Sequence, residues 1–104
     1  MPIMDLKVTD NPEQSRYEIT ADGELAGHIS YELGDGIIDL QHTQTDDRFR
    51  GHGIGGHLVQ ATLDSARERQ LTVIPTCPFV RRWLGEHPDY LDLIPAGRRA
   101  EFGL

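Results

Sequence analysis

The chain has 104 residues, which is enough for one domain with a modest hydrophobic core. A hydrophobic content of 38% and a charged content of 26% are typical of a soluble globular protein. The sequence has no apolar run of membrane-spanning length and no signal-peptide pattern, and its single cysteine excludes an internal disulfide. We therefore expect one cytoplasmic, monomeric domain over residues 1–104 that does not bind membranes, with residues 1–2 and 96–104 frayed.

The net charge of −7 is unevenly distributed along the chain. Residues 1–47 carry 11 acidic and 2 basic side chains, whereas residues 48–104 carry 6 acidic and 8 basic side chains. The acidic half argues against nucleic acid as a partner and favours a cationic substrate such as an amine. For most of these carboxylates, an ordinary solvated surface is the favoured explanation. No Cys/His spacing is typical of a zinc site, so we predict no metal.

Alternating apolar and polar residues predict four strands in the first half of the chain. The turn signals Asn11-Pro12, Asp22-Gly23 and Gly34-Asp35-Gly36 separate these strands. The predicted strands cover residues 3–9, 16–21, 24–33 and 37–45. Because short turns join neighbouring strands in antiparallel pairs, we expect an antiparallel meander.

A glycine-rich turn then leads into a long amphipathic helix that begins at about Gly53 or Ile54. The turn contains four glycines, which either allow a ligand to approach the backbone or supply positive φ angles: Gly51, Gly53, Gly55 and Gly56. The free N–H groups and the dipole of a helix N-terminus attract anions, and Arg48 and Arg50 would flank that end. These features predict an anion site suited to a pyrophosphate, although glycine turns are also common in ordinary loops.

Beyond this helix, the sequence predicts a short strand at residues 71–74 and a second, short helix. A strand–helix–strand crossover implies that the short strand lies parallel to the fourth strand. Pro78 suits the first position of the second helix, and His87-Pro88 would end it. The predicted fold class is therefore α/β (α+β), with an antiparallel meander followed by a parallel β-α-β crossover and a short C-terminal helix.

The order of these motifs resembles the GNAT superfamily of acyl-CoA-dependent N-acetyltransferases. Arg50, Gly53 and Gly55 match its R/Q-x-x-G-x-G/A signature. Three further runs resemble the short, single-domain Yjdj-type branch: His42-Thr43, Pro75-Thr76-Cys77-Pro78-Phe79-Val80 and His87-Pro88-Asp89-Tyr90. The resemblance covers roughly residues 19–94. It implies transfer of an acetyl group from acetyl-CoA to a primary amine of a small molecule or a protein.

The resemblance also implies how acetyl-CoA would be held. In that family, the strands before and after the long helix splay apart, the pantetheine arm lies in the gap, and the pyrophosphate meets the signature turn. The implied pyrophosphate contacts are Arg50, His52, Gly53, Ile54, Gly55 and Gly56, with Arg48 and Gly51 beside them. The implied contacts along the pantetheine and acyl group are Leu40, Gln41, His42 and Thr43, with Cys77 and Pro78 near the thioester.

The sequence departs from the GNAT pattern at two places. Many members have an extra helical segment between the first two strands that helps to bind the acceptor, but Asn11-Pro12 leaves no room for one. We therefore expect an acceptor groove that is open or completed by a partner. Many members also place a tyrosine on the last helix to protonate the departing thiolate. The corresponding position is near Trp83-Leu84, where no tyrosine is present, so the general acid must differ or activity is weak or absent.

Cys77 and His42 are the candidate catalytic residues. Cys77 precedes Pro78, so we place it at the N-cap of the second helix, where the helix dipole favours a thiolate. It could protonate the leaving CoA sulfur in direct transfer, or carry the acetyl group itself. His42, late in the fourth strand, could accept the proton of the amine. A buried cap for Cys77 and an ordinary strand position for His42 remain the alternatives.

Two other functions share the predicted anion site. One is a non-catalytic CoA or acyl-CoA binding module, which would differ from an enzyme at His42 and Cys77. The other is a generic nucleotide-binding domain, but the sequence lacks the G-x-x-x-x-G-K-[ST] pattern with its phosphate-binding lysine. An acetyltransferase therefore remains the main prediction.

Overall fold

A five-stranded mixed sheet carries the fold in the computed structural model, which describes residues 4–104. In chain order, the strands and helices are β1 (Leu6–Asn11), β2 (Arg16–Ala21), β3 (Glu24–Gly34), β4 (Ile37–Thr45), α1 (Ile54–Glu68), β5 (Thr72–Pro75) and α2 (Pro78–Glu86). The strand order is β1-β2-β3-β4-β5, with the first four strands antiparallel and β5 parallel to β4. The predicted fold class is confirmed.

Two tight turns fix the register of the meander. The central residues of the first turn, Asp22 and Gly23, have φ angles of 50° and 84°, and Asp35 and Gly36 in the second have 54° and 75°. Two residues with positive φ form the type I′ turn that matches the right-handed twist of a hairpin. Because Asp and Gly tolerate this conformation, the predicted bounds of the flanking strands agree closely with the structure.

The first strand differs from its predicted range. Its expected start at Ile3 lies outside the described residues, and β1 runs past the expected end to Asn11, which pairs with Arg16. The Asn11 side chain then accepts a hydrogen bond from Gln14 N, and Pro12–Gln14 form one turn of 3-10 helix. This turn is the whole connection between β1 and β2 apart from Ser15, so the expected lack of an extra helix is confirmed for this connection.

Helix α1 covers one face of the sheet and buries the apolar arc predicted from its sequence. Its buried residues are Ile54, Leu58, Val59, Thr62, Leu63 and Ala66. They meet alternate residues of the central strands, including Ile19, Ile29 and Leu40, which are 0% exposed. The other face, called the open face below, carries polar side chains that are exposed or half-buried. The sheet is therefore amphipathic, with one face in the core and one in solvent.

The C-terminal segment differs from the expected frayed tail. Residues 96–104 form two turns of 3-10 helix, Ala96–Arg98 and Ala100–Phe102, and Phe102 and Leu104 are partly buried against the core. These two apolar side chains explain why the segment folds back. The other segment expected to be frayed, residues 1–2, lies outside the described residues.

Within residues 4–104, no helix is long and apolar enough to cross a lipid bilayer.

We predict that Gly27→Ala destabilises the fold by about 1–3 kcal/mol, because the new methyl group overpacks a site bounded by backbone. A Cβ at Gly27 would lie 2.7 Å from the backbone oxygen of Gln44 on β4. Urea unfolding measures the change. Gly34→Ala is the matched control in the same strand, since a Cβ there meets nothing within 4 Å. Equal stability of the two variants would contradict this account of β3 and β4.

Candidate active site

A β-bulge at Gln41 opens a gap between β4 and β5. In the β3–β4 ladder, Tyr31 pairs with Leu40 and Ser30 pairs with His42, so Gln41 is the extra residue. A bulge bends its strand and increases the local twist. The parallel ladder with β5 ends at the same place, where Leu40 pairs with Pro75. The second half of β4 therefore has a free edge, which lies where the resemblance implies that the two strands splay apart.

Backbone groups of β4 point into this gap. Asp46 N donates to Ala26 O on β3 at 2.8 Å. Because groups in an antiparallel ladder alternate in direction, the N–H and C=O groups of Thr45 and Thr43 point to the other edge, away from β3. The carbonyl of Leu40 is already engaged, since it accepts a hydrogen bond from Cys77 N at 2.8 Å. The free backbone groups available to a ligand therefore begin beyond Leu40.

A cavity of about 320 Å³ lies where β4 leads into α1. Its lining residues are Thr45, Asp46, Asp47, Phe49, Arg50, Gly51, Gly53, Ile54, Gly55, Gly56 and Phe79. The first intrahelical bond of α1 runs from His57 N to Gly53 O at 3.0 Å. The N–H groups of the three preceding residues, 54–56, thus have no intrahelical acceptor. With the partial positive charge of the helix end, they form a site suited to an anion.

Of the two predicted arginines, Arg50 lines the cavity and Arg48 does not. The Arg50 guanidinium is exposed and lies 3.3 Å from Asp47 Oδ1. The Arg48 guanidinium turns back to Asp46 at 2.9 Å and approaches Glu24 at 3.9 Å. The side-chain hydrogen bond from Arg48 holds the pKa of Asp46 below its ordinary range. A contact between Arg48 and an anion therefore stays a prediction, and it would require the exposed guanidinium to leave Asp46 and Glu24.

His52 also lies outside the cavity lining. Its side chain is exposed, and its backbone N–H donates to Phe49 O at 3.2 Å within the turn. This backbone donor is therefore already used, so the predicted contact between His52 and a pyrophosphate stays a prediction that its exposed side chain would have to make.

The four glycines of the turn divide into two pairs with different roles. Gly51 and Gly53 have φ angles of 85° and 69°, which a side chain would strain. Gly55 and Gly56 lie in the first turn of α1, where they make room for α2. A Cβ at Gly55 would lie 2.7 Å from Cζ of Phe79, and one at Gly56 would lie 3.7 Å from Nε1 of Trp83. Sequence reasoning assigned all four to ligand approach or turn geometry and missed this packing role.

Cys77 is the N-cap of α2 and Pro78 is its first residue, as predicted. The thiol is 3% exposed, and its Sγ lies 3.3 Å from Thr43 Oγ1 on β4. The Cys77 side chain makes no capping hydrogen bond to α2, so it turns to Thr43 rather than to the free N–H groups of the helix. Thr43 and Cys77 thus meet beyond the point where the ladder between β4 and β5 ends.

His42 lies on the open face of β4. It is exposed and pairs with Ser30, whereas the next residue, Thr43, pairs with the buried Ile29 on the core face. Directly paired residues share a face, so the candidate catalytic residues His42 and Cys77 lie on opposite sides of β4.

His28 is close enough to His42 for their charges to interact. Burial, and then the charges of Arg16 and His42, hold the pKa of His28 below its ordinary value.

Sequence reasoning did not single out Asp39, which lies at the other side of the bulge. The Thr76 hydroxyl donates to Asp39 Oδ1 at 2.6 Å, linking β4 to the residue after β5. Asp39 pairs with Glu32 and shares the open face with His42, because the bulge shifts the alternation by one residue. No sequence signal locates a bulge, so the placement of Asp39 and His42 on the same face could not be predicted.

Among residues 4–104, no cluster of three or more His, Cys, Asp or Glu side chains is placed to hold a metal ion.

Trp83, near the position where the resemblance places a tyrosine, is part of the core. It is 8% exposed, and its ring stacks on His87 with 3.7 Å between ring centroids. The His87 Nδ1 donates to Trp83 O at 2.7 Å. Tyr90 is also engaged elsewhere, because its hydroxyl donates to Asp64 Oδ1 on α1 at 2.8 Å. Neither aromatic residue takes the place of the missing tyrosine.

A model of the family described as GCN5-related N-acetyl-transferase matches residues 16–93, which is most of the chain. The chain belongs to the GCN5-related N-acetyltransferase family. The match agrees with the range of residues, 19–94, over which the motifs resemble GNAT proteins. The protein is therefore a member of an acetyltransferase family. Its mixed sheet is the one that the resemblance implies.

Two relatives and one solved structure are similar to this family member. Protein NATD1 of Gallus gallus is 41% identical over 56 residues, which are 54% of this chain and 51% of the relative. The chain thus spans about half the length of that relative. Protein NATD1 of Danio rerio is 31% identical over 93 residues, with coverage of 86% and 84%. The NMR structure of a GCN5-like protein from Staphylococcus aureus matches 91% of both chains with 27% identity and a TM-score of 0.64.

Proposed function

We propose that this protein transfers an acetyl group from acetyl-CoA to a primary amine of a small molecule or peptide. The single observation that carries the proposal is the gap beside β4, which runs from Cys77 and Thr43 to the N-terminus of α1. Membership of an acetyltransferase family supports this assignment. The gap matches the two parts of acetyl-CoA that it would hold. Free backbone groups along its side suit the pantetheine arm, and the anion site at its end suits the pyrophosphate.

In the proposed complex, the pyrophosphate accepts hydrogen bonds from the N–H groups of residues 54–56. Arg50 is exposed at the cavity and could exchange Asp47 for phosphate, because a doubly charged pyrophosphate attracts a guanidinium more strongly than one carboxylate does. The amides of the pantetheine arm pair with the free edge of β4 at Thr43 and Thr45. The thioester then lies near the bulge, between Cys77 on the core face and His42 on the open face.

The proposed reaction is direct attack of an unprotonated amine on the thioester carbonyl. A C–N bond forms and the C–S bond breaks, so the amine must lose a proton and the CoA sulfur must gain one. His42 can accept the amine proton on the open face, where an acceptor can enter. The Cys77 thiol can donate to the leaving sulfur on the core face. The opposite placement of these two residues suits the opposite proton requirements of the nucleophile and the leaving group.

A second route uses Cys77 as the nucleophile. In that case the Cys77 sulfur takes the acetyl group with release of CoA thiol, and the amine then attacks the acetyl-cysteine to form the amide and restore the thiol. Direct transfer is the preferred route because the thiol is turned to Thr43 and buried, away from the helix N–H groups that would favour a thiolate.

The acceptor is proposed to enter from the open face and to be cationic. The connection between β1 and β2, residues 12–15, contains one 3-10 turn, so this connection places no longer helix over the face beside the gap. Glu32 and Asp39 contribute negative charge there, whereas the charge of Glu18 is balanced by Arg16, which lies 2.7 Å away. Such charge raises the local concentration of a cationic amine, and salt would weaken the effect. We also propose that the protein acts as a cytoplasmic monomer.

A non-catalytic acyl-CoA binding module is the second candidate, favoured by one observation. Many family members place on this helix a tyrosine that protonates the departing CoA thiolate. Here the corresponding region of α2 holds Trp83, which is part of the core. Such a module would use the same cavity and gap but would release no CoA thiol in the presence of amines.

We predict that Gly53→Val weakens CoA binding at least about tenfold in calorimetry, because a branched side chain obstructs the backbone N–H groups of the helix end. Gly36→Val is the matched control. Gly36 also has a positive φ, 75°, and its position also has no neighbour within 4 Å, but it lies in the β3–β4 turn away from the cavity. Both variants strain the backbone, so a loss of CoA affinity in both, or in neither, would contradict the proposed site.

We predict that the protein releases CoA thiol when acetyl-CoA is mixed with cationic amines, and that His42→Ala lowers kcat with little change in CoA affinity. Gln44→Ala is the control, since Gln44 lies on the same face of β4 two residues further along.

We predict that Cys77→Ala also lowers kcat, and that intact-mass spectrometry of the wild-type protein with acetyl-CoA but no acceptor shows no acetyl adduct. A stable adduct that amines discharge would establish the covalent route instead. Absence of thiol release with every amine would favour the binding module.

A further inference from the structure

Phe79 is an aromatic side chain whose exposure the core does not explain. It is 38% exposed, although the other large apolar residues of α2, Val80, Trp83 and Leu84, are buried. Its ring lines the cavity at the start of α1. Other apolar side chains are as exposed, but Phe79 is distinguished by its position in the lining of a cavity, where a bound ligand would cover the ring.

Gly55 determines where this ring can lie. Three ring atoms of Phe79 are within 3.4 Å of the position that a Gly55 Cβ would occupy, and the nearest, Cζ, is 2.7 Å away. The ring therefore rests directly against the backbone of the first turn of α1, a position that any other residue at 55 would close. The fit between Gly55 and Phe79 holds the ring beside the free N–H groups of residues 54–56.

Phe79 also lies between the two ends of the proposed acetyl-CoA site. It follows Cys77, the N-cap of α2, by two residues, and it lines the same cavity as Gly53 and Thr45. A ligand that reaches from the helix N-terminus to Cys77 thus passes between the free edge of β4 and the Phe79 ring. One wall of this passage offers hydrogen-bonding groups, and the other offers an apolar surface.

We propose that Phe79 contacts the pantetheine arm and makes the site prefer ligands that carry this arm over nucleotides that lack it. This inference rests on the proposed function, because it concerns the same site. Pantetheine has two amides joined by methylene groups and a carbon with two methyl groups. Its amides can pair with the β4 edge while its hydrocarbon parts cover the Phe79 ring, so both walls are used. A nucleotide that ends at its second phosphate reaches only the glycine turn.

The test compares two ligands that differ by the arm alone: CoA, and 3′-phosphoadenosine 5′-diphosphate, which is CoA without pantetheine. We expect Phe79→Ala to weaken CoA binding about tenfold, because an apolar contact of the size of a partly exposed ring is lost. We expect the affinity for 3′-phosphoadenosine 5′-diphosphate to stay within about twofold of wild type. Calorimetry measures both ligands, and Phe79→Leu, which keeps an apolar side chain, should retain part of the CoA affinity.

Two further variants separate this role from general effects. Gly55→Ala keeps Phe79 but displaces its ring, so it should weaken CoA binding more than it weakens binding of the nucleotide. Leu33→Ala removes another exposed apolar side chain, 43% exposed on β3, and should leave both affinities unchanged. Thermal melting followed by circular dichroism shows whether each variant is folded.

The outcomes distinguish this inference from the proposed function. Equal loss of both ligands in Phe79→Ala would mean that the ring stacks on the adenine or acts only on folding, and would overturn the proposal. Unchanged CoA affinity in that variant would overturn it as well. In either case the wild-type protein still binds CoA, so the proposed function stands. If wild-type protein binds neither ligand, the proposed function fails, and this inference fails with it.

Discussion

The bulge at Gln41 bends β4 at the residue where its ladder with β5 ends, and the arrangement of the candidate site depends on that coincidence. Without the extra residue, side-chain alternation would place Asp39 and His42 on opposite faces of the sheet. With it, both lie on the open face, while Leu40 and Thr43 lie on the core face. The same bend gives β4 a free edge facing the first turn of α2. A local irregularity of one strand therefore supplies both the gap and the division of the site into two sides.

The start of α1 meets two requirements that compete for the same residues. Its first N–H groups must stay free for an anion, and its first turn must let α2 approach closely. Positive φ angles at Gly51 and Gly53 shape the entry to the helix, whereas Gly55 and Gly56 admit Phe79 and Trp83. Close packing of α2 in turn places Cys77 beside Thr43. The glycine signature thus serves the fold and the proposed ligand site together.

Most of the fold could be predicted from the sequence, because turns and helix ends have strong local signals. Asp22-Gly23 and Asp35-Gly36 fixed the hairpins, and Pro78 fixed the start of α2. Burial by other parts of the chain left no local signal, so the folding back of residues 96–104 was missed. The site was predicted only partly. The glycine turn and Cys77 lie where expected, but the competition of Asp46 and Glu24 for Arg48 and the faces set by the bulge depend on tertiary structure.

The central claim is that the gap beside β4 receives CoA, with the pyrophosphate at the start of α1. Backbone amide NMR spectra recorded during a CoA titration test it most directly. The account predicts the largest shift changes at residues 41–45, 53–56 and 77–79, with little change in β1 and β2. Changes centred instead on the open-face groove that Leu25, His28 and Gln44 line would contradict the account, as would the absence of any saturable change.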